Sequence, residues 1–469
     1  MKIKEIINRN FCVDSRLLKR NDVFFDFLSN SKKINPFLKS IIKKKPSLIF
    51  SSIKVNYRNS IISKNIRSLY LSLIKKKYKK IPKNIFAVTG TNGKTSVANF
   101  FYQLHILNKK PCANIGTLGY FYNKKRKKNN LTTPSNLDIY NFLNFINKKK
   151  IRTVILEASS HGLDQDRLNG LKFKGVVFTN FSQDHLDYHK SMKAYLNSKL
   201  KLFRQNLKKK GNIVCNDNIK KILIKNKISK ISFKYVLDNK IKYPIKIINV
   251  KKNNSKTLIK VNFKNNIYTF NINLIGQFQI ENLYQSIILA LSSGLKIKEI
   301  FRVLEKIKPI EGRLNIIKNR KKTICIDYAH TPDGLKKVIE TLKNHYNKKV
   351  NIVFGCGGNR DTDKRKKMGQ IANKLCNKVI LTNDNPREED PKNITKQIFQ
   401  SVKKAEVIHN RKLAIKKAIK ITKEKEVLLI AGKGHENYQI FKNKIIYFSD
   451  FDVAKKNLFV WNLILLIKY

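Results

Sequence analysis

An α/β fold in several domains, built on parallel sheets, is what this sequence predicts, and three observations carry the prediction. The chain has 469 residues, too many for a single hydrophobic core. From Ile85 onward, short β-rich runs alternate with helix-length segments: IFAVTG, VILEAS, VVFTN and NIVCN, then after Gly312 TICIDYAH, VNIVFGCGG, KVILTNDNP and VLLIAGKGH. Each run ends at a glycine or a polar residue, as strands of a parallel sheet do when their carboxyl ends carry ligands.

Three segments differ in character. Residues 1–82 hold short apolar runs (VFFDF, SLIFSS) between lysine clusters, residues 83–310 the first strand series, and residues 311–469 the second. Between Ile222 and Asn273 the text is rich in Lys and Asn with alternating β-type residues, which predicts a peripheral antiparallel excursion. No internal repeat is evident.

Composition excludes several classes. No stretch approaches the roughly 20 apolar residues of a membrane helix, since Leu458–Ile467 is short and broken by Asn462. The start MKIKEIINRNF lacks a secretory pattern, so a cytoplasmic protein without membrane insertion is expected. The six cysteines are scattered without a CxxC pair, which argues for buried free thiols. A net charge of +68 invites nucleic-acid binding. The lysines are spread along the whole chain, however, and travel with Asn and Ile, the residues of AT-rich codons. Base-stacking motifs are missing too, so no specific nucleic-acid partner is expected, only salt-sensitive polyanion binding.

The sharpest chemical signal is Val88-Thr89-Gly90-Thr91-Asn92-Gly93-Lys94-Thr95-Ser96, between a strand and a helix. A Gly-rich turn opening a helix presents backbone N–H groups to phosphates. Lys94, expected in a solvent-facing loop, can reach the β/γ-phosphates and Thr95 can ligate Mg²⁺. Val88 stands where a full Walker motif has its first glycine. Glu157 ends the next strand run beside this loop, a position suited to Mg²⁺. His185 follows VVFTN in a loop that also holds Asp184 and Asp187, which favours metal or phosphate chemistry over a core histidine.

With GTNGKTS come LTTP (131–134), EASSHGLDQDR (157–167), TNFSQDHLDYH (179–189), DYAHTPD (327–333), GCGGNRD (355–361), DNPR (384–387) and AGKGHE (431–436). In this order the motifs resemble the Mur ligases, from about Asp14 to about Asp450. The resemblance implies three domains: one for the uridine nucleotide, a central P-loop domain for ATP, and a Rossmann-like C-terminal domain for the incoming amino acid. It implies an ATP- and Mg²⁺-dependent amide ligase of peptidoglycan-precursor synthesis, working as a monomer. Its substrates would be UDP-N-acetylmuramoyl-L-alanyl-D-glutamate (UDP-MurNAc-dipeptide), ATP and, because DNPR resembles the signature of the diaminopimelate-adding members, meso-diaminopimelate.

The resemblance also assigns residues. Gly90, Thr91, Asn92, Gly93, Lys94, Thr95, Ser96, Asn282, Arg313 and His330 fall on the ATP side. Ser15, Thr132, Thr133, Ser159, Gln165 and Arg167 resemble contacts to the muramoyl substrate. Thr95, Glu157, His185 and Lys199 stand for metal and catalysis, with Lys199, in register before Leu202-Phe203, as an N6-carboxylysine. Arg360, Asp384, Asn385, Pro386, Arg387, Gly432 and Glu436 stand for diaminopimelate. A guanidinium suits its distal carboxylate, although Arg387 could instead bridge Glu388 or Glu389. Departures are Gln279 for the first Asn of GxFNxxN, Glu311 for the Pro of PGR, and Asn359 for the Asp of GGDRD. Rival readings are folylpolyglutamate synthetase, the enzyme adding the fourth wall fragment, and a binding protein without turnover. The intact Lys94, Glu157 and His185 argue against the last.

Overall fold

The strand Asn84–Thr89 buries every residue from Ile85 to Thr89, as a strand covered on both faces must. In the computed structural model it lies near the middle of an eight-stranded sheet. The structure describes residues 2–129, 131–228, 235–236, 245–253, 256–319 and 321–466, with only the backbone for 235–236 and beyond Leu458. The central sheet runs in the order 235–236, Leu207–Cys215, Phe173–Phe178, Asn84–Thr89, Thr153–Glu157, Cys112–Gly116, all parallel, then the antiparallel Gly119–Tyr122 and Lys125–Lys127. One face is covered by helices Lys94–Leu107 and Gln277–Ser293, whose Phe100, Phe101, Leu283 and Ile287 share one core. Helices Ile66–Lys77 and Asn136–Lys148 cover the other face through Tyr70, Ile74, Tyr140 and Leu143.

Four short parallel strands, Phe11–Cys12, Val23–Phe25, Leu48–Ser51 and Ser60–Ile62, make the N-terminal sheet. Phe25 packs edge-on against Tyr70, so this sheet leans on the central core. The C-terminal sheet has the order Asn315–Lys318, Thr323–Asp327, Glu426–Ala431, Lys349–Phe354, Lys378–Leu381, Ala405–Val407, parallel except for its first edge. Separate buried clusters cover its two faces, the doubly wound arrangement. The α/β fold class with parallel sheets therefore holds. The antiparallel excursion begins later than expected: Asp217–Lys225 is a helix, and the three strands are Ile245–Asn253, Lys256–Phe263 and Asn266–Ile272. The amphipathic spacing of Ile219 and Leu223, both buried, explains the difference. All six cysteines are free, five of them buried. Among the described residues no helix is long and apolar enough to cross a membrane.

Loops at the carboxyl ends of the two large sheets meet across a cleft. Asn92 Nδ2 donates to Thr331 Oγ1 (3.3 Å) and Asp333 Oδ2 (3.4 Å), and Arg126 pairs with Glu311 at 2.7 Å.

Candidate active site

The helix Lys94–Leu107 starts from Gly93 at φ +87°. At Gly90 (φ +144°) a Cβ would fall 1.9 Å from Thr179 Oγ1, so only glycine lets the two loops approach. Thr179 and Asn180, at the end of the neighbouring strand, clamp the turn. Asn180 Oδ1 accepts from Asn92 N–H (2.9 Å), its Nδ2 donates to Asn92 O (3.1 Å), and its carbonyl accepts from Thr91 N–H (2.9 Å). The backbone donors of Thr91 and Asn92 are thus taken within the protein. Those opening the helix, from Gly93 to Ser96, lack intrahelical acceptors and are the ones available to a phosphate. Lys94 does not stand in solvent as expected. It is half-buried, and its Nζ folds back to donate to Gly90 O and Thr91 O, both at 2.8 Å. Burial lowers its pKa.

Glu157 ends its strand 1% exposed. Its carboxylate accepts from Thr95 Oγ1 (2.9 Å), Thr117 N–H (2.9 Å) and Thr117 Oγ1 (3.0 Å). Burial raises its pKa against the pull of those donors and of Lys94. Lys199 lies on the helix Met192–Lys201, also 1% exposed. Its Nζ donates to Gly90 O at 2.9 Å, the carbonyl Lys94 also uses, and stands 4.4 Å from the Tyr195 ring centre. Burial and the neighbouring Lys94 push its pKa well down. Lys201, two residues on, instead reaches Asp164 O and Asp166 at the surface.

His185 adopts φ +57° and puts Nε2 3.3 Å from the buried Asp184 Oδ2, while His330 Nε2 approaches the same oxygen at 3.9 Å from the C-terminal sheet. Burial lowers the pKa of both imidazoles, so both are neutral near pH 7. Among the described residues no three His, Cys, Asp or Glu side chains are grouped to hold a metal. Mg²⁺ asks less of a protein, typically one or two side-chain oxygens plus phosphate and water. Thr95 and Glu157 supply such oxygens, a hydroxyl and a carboxylate hydrogen-bonded to each other beside the glycine turn, the donor chemistry a hard cation takes. These two residues fit the ion.

Beside the P-loop, a cavity runs between the two sheets and is lined by Gly93, Ser96, Asn282, Arg313, Asp327 and Tyr328. Arg313 lies over the Tyr328 ring at 4.5 Å and reaches Thr95 Oγ1 at 3.4 Å. His330 Nδ1 is 2.8 Å from Tyr328 O. Of the ATP-side residues expected from sequence, Asn92, Gly93, Thr95, Ser96, Asn282 and Arg313 line this cavity.

Five of the expected muramoyl-side residues form one network next to Glu157. Thr133 Oγ1 donates to Glu157 O (2.7 Å) and accepts from Ser159 N–H (2.9 Å). Arg167 holds Thr133 O (2.7 Å) and Gln165 Oε1 (3.0 Å). Thr132 joins through Thr117 Oγ1 at 3.0 Å. Ser15 is not brought to this cluster: it sits in a turn after the first strand of the N-terminal sheet, its carbonyl accepting from Lys44 Nζ at 2.7 Å.

The C-terminal residues converge likewise. Arg387 is half-buried at φ +56°, with Nη1 donating to Gly358 O (2.8 Å) and Asn385 O (3.3 Å). It bridges no carboxylate among the described residues, because Glu389 is held by the buried Arg365 at 2.9 Å. Burial and the nearby Arg360 lower its pKa, and Arg360 itself is exposed. The carbonyl of Pro386 presses so close to Gly358 that a Cβ there would lie 1.9 Å away, and one on Gly432 would lie 2.7 Å from Asp384 Oδ2. Asn385 Nδ2 donates to Glu436 Oε2 at 2.9 Å. The fully buried Lys433 donates to both Asn385 Oδ1 and Glu436 Oε2 at 3.0 Å.

Sequence reasoning missed Thr117, Asn180, Tyr195 and Lys433. Asn180 and Lys433 stand inside quoted motifs, TNFSQDHLDYH and AGKGHE. Nothing local marks Thr117 or Tyr195, which matter through contacts distant in sequence.

A glycine turn at a helix start facing a doubly wound sheet across a cleft defines a class, and the chain belongs to the Mur ligase family. The Mur ligase middle domain matches residues 88–290 and the Mur ligase glutamate ligase domain residues 312–434. Within that family it is similar to two proteins named UDP-N-acetylmuramoyl-L-alanyl-D-glutamate--2,6-diaminopimelate ligase. One, from Rickettsia montanensis, is 38% identical over 96% of this chain and 95% of its own length. The other, from Buchnera aphidicola subsp. Schizaphis graminum, is 39% identical over 95% and 94%. A solved structure of a ligase with that name matches at TM-score 0.64 and 30% identity over 97% of this chain and 95% of its own. A MurF ligase from Thermotoga maritima in complex with ADP, 17% identical over 92% and 95% at TM-score 0.64, shares the fold.

Proposed function

We propose that this chain joins meso-diaminopimelate to UDP-N-acetylmuramoyl-L-alanyl-D-glutamate, in the cytoplasm, with cleavage of ATP to ADP and phosphate. The observation that carries the reading is nearly full-length similarity to ligases of that name. Arg387, which pairs with no carboxylate among the described residues, supports it. The division into domains 1–82, 83–310 and 311–469, for uridine nucleotide, ATP and amino acid, is part of the same proposal.

ATP binds with its phosphates on the helix-start N–H groups of Gly93 to Ser96 and its nucleoside in the cavity bordered by Asn282, Arg313 and His330. Lys94, released from its two carbonyls, turns to the β/γ-phosphates. Thr95 and Glu157 hold Mg²⁺, with Lys199 as carbamate and His185 as further ligand groups, and the ion supplies charge neutralisation on the phosphates. Thr132, Thr133, Ser159, Gln165 and Arg167 orient the dipeptide so that its terminal carboxylate attacks the γ-phosphorus and ADP departs. The work is positioning and electrostatic stabilisation. The acyl phosphate is then attacked by the amine of diaminopimelate, held by Arg360, Asp384, Asn385, Pro386, Arg387, Gly432 and Glu436; phosphate leaves as the amide forms and the amine loses a proton. Contacts across the cleft keep water from the intermediate.

The test is incubation with ATP, UDP-MurNAc-dipeptide and candidate amino acids, read by phosphate release and product mass. A diaminopimelate adduct with stoichiometric phosphate is expected. Phosphate release without an adduct, or an adduct of glutamate on a folate, would overturn the reading.

A further inference from the structure

Arg411 and Asp450 form an ion pair with both side chains at 0% exposure. Arg411 Nε and Nη2 donate to Asp450 Oδ1 and Oδ2, each at 2.7 Å. The remaining donors leave the pair. Nη2 also donates to Ala431 O at 2.9 Å, and Nη1 to Asn383 O at 3.4 Å. Those carbonyls immediately precede Gly432 and Asp384. They follow or end two strands, Lys378–Leu381 and Glu426–Ala431, which are not neighbours, since Lys349–Phe354 lies between them. One planar guanidinium therefore ties together the two loops that build the amino-acid pocket. Gln439 reinforces the tie by donating to Asp384 O at 2.8 Å.

Stability alone is a poor reason for this arrangement. A buried ion pair loses so much hydration that an apolar replacement of similar shape is often as stable. Arg411 is moreover the first residue of the helix Arg411–Ile421, where the helix dipole disfavours a cation. Asp450, which opens the helix Asp450–Leu466, is on the favoured end. What the guanidinium supplies that an apolar pair lacks is a fixed fork of donors aimed at two backbone oxygens.

We propose that Arg411, oriented by Asp450, is a positioning residue for amino-acid selection: it sets the separation of the Asp384–Arg387 and Gly432–Glu436 loops, and so the fit of the distal end of a diamino-dicarboxylic acid. The inference rests on the reading of that pocket as the diaminopimelate site. Arg411→Lys keeps the charge but has one ammonium in place of the fork, and Asp450→Asn keeps the shape but removes the charge.

The experiment measures KM for meso-diaminopimelate, ATP and UDP-MurNAc-dipeptide in the wild type, in both variants and in Arg387→Ala, with ADP affinity and thermal midpoint as checks of folding. Both variants are expected to raise the diaminopimelate KM by about fivefold or more, because misplacement of a binding group by under an ångström is costly. The other two KM values should stay within about twofold. The discrimination between diaminopimelate and L-lysine should narrow as well. Equal changes in all three KM values, an unchanged diaminopimelate KM, or loss of ADP binding together with the fold would make the pair structural only and overturn the proposal. If Arg387→Ala also left the diaminopimelate KM unchanged, the pocket reading itself would be at fault; if only Arg387→Ala raised it, the pocket would stand and the positioning role would fall.

Discussion

At the scale of single residues, the proposed chemistry rests on three side chains and each yields a test. Lys94 bonds two carbonyls of its own loop, so Lys94→Ala removes modest hydrogen bonds but, on the proposed mechanism, the whole phosphate contact. Phosphate release should fall below about a tenth of wild type, a loss of more than ~1.4 kcal/mol, with ADP-free thermal stability little changed. Turnover above that level would remove Lys94 from the mechanism. Burial, with Lys94 close by, pushes the Lys199 pKa well down, towards the neutral amine that adds CO₂. Labelled bicarbonate should give a carbamate signal, and Lys199→Ala should be nearly inactive and partly rescued by short-chain carboxylates. Lys201→Ala, which loses only surface contacts, should stay close to wild type; the reverse pattern would move the assignment two residues on. Among the described residues Arg387 pairs with no carboxylate. A charge-assisted pair with the ligand is worth roughly 1.5–3 kcal/mol, so Arg387→Ala should raise the diaminopimelate KM at least about tenfold. L-Lysine should be a poor substrate of the wild type, and efficient lysine incorporation would refute the specificity while leaving the ligase reading intact.

At the scale of elements, the P-loop helix Lys94–Leu107 is fastened to Gln277–Ser293 by apolar packing and by one buried histidine. His105, 3% exposed, has Nδ1 2.8 Å from Phe101 O and Nε2 2.8 Å from Ser293 Oγ. Burial lowers its pKa to about 4, against 6.5 for an ordinary imidazole. Between those values the unfolded chain binds the proton more readily than the folded one. The contribution is therefore complete above pH 6.5 and is lost as pH falls towards 4, by on the order of 3 kcal/mol at most. Urea midpoints taken from pH 7 to pH 4.5 should fall less steeply for His105→Leu than for wild type. Parallel curves would show that His105 does not titrate on unfolding.

For the whole molecule, the dominant long-range term is charge. Ninety-nine Lys and Arg against 31 Asp and Glu leave +68 to repel itself across one compact particle. Added salt screens that repulsion over a Debye length of about 10 Å at 0.1 M. The thermal midpoint should rise with sodium chloride between low and physiological ionic strength, and weak binding to polyanions should vanish over the same range. A midpoint that fell with salt would mean that ion pairs, such as Arg126–Glu311 across the cleft, outweigh the net charge.

The sequence by itself determined the strand series, the glycine turn and the motifs that the structure brings together at the cleft. These depend on local pattern: β-rich runs, a turn that only glycine can take, and motifs short enough to read in line. It did not place the helix Asp217–Lys225, because a Lys/Asn-rich composition hides a helical period when only Ile219 and Leu223 mark the buried stripe. Only the tertiary structure decided that Lys199 and not Lys201 faces the P-loop, that Glu389 is already held by Arg365 and leaves Arg387 open, and that Arg411 ties two strand-end loops. Each of those facts is a contact between residues tens to over a hundred positions apart, or a choice between two lysines of equal local chemistry. Burial and distance, which arise when sheets stack and helices cover them, settle such choices, and no local pattern contains them.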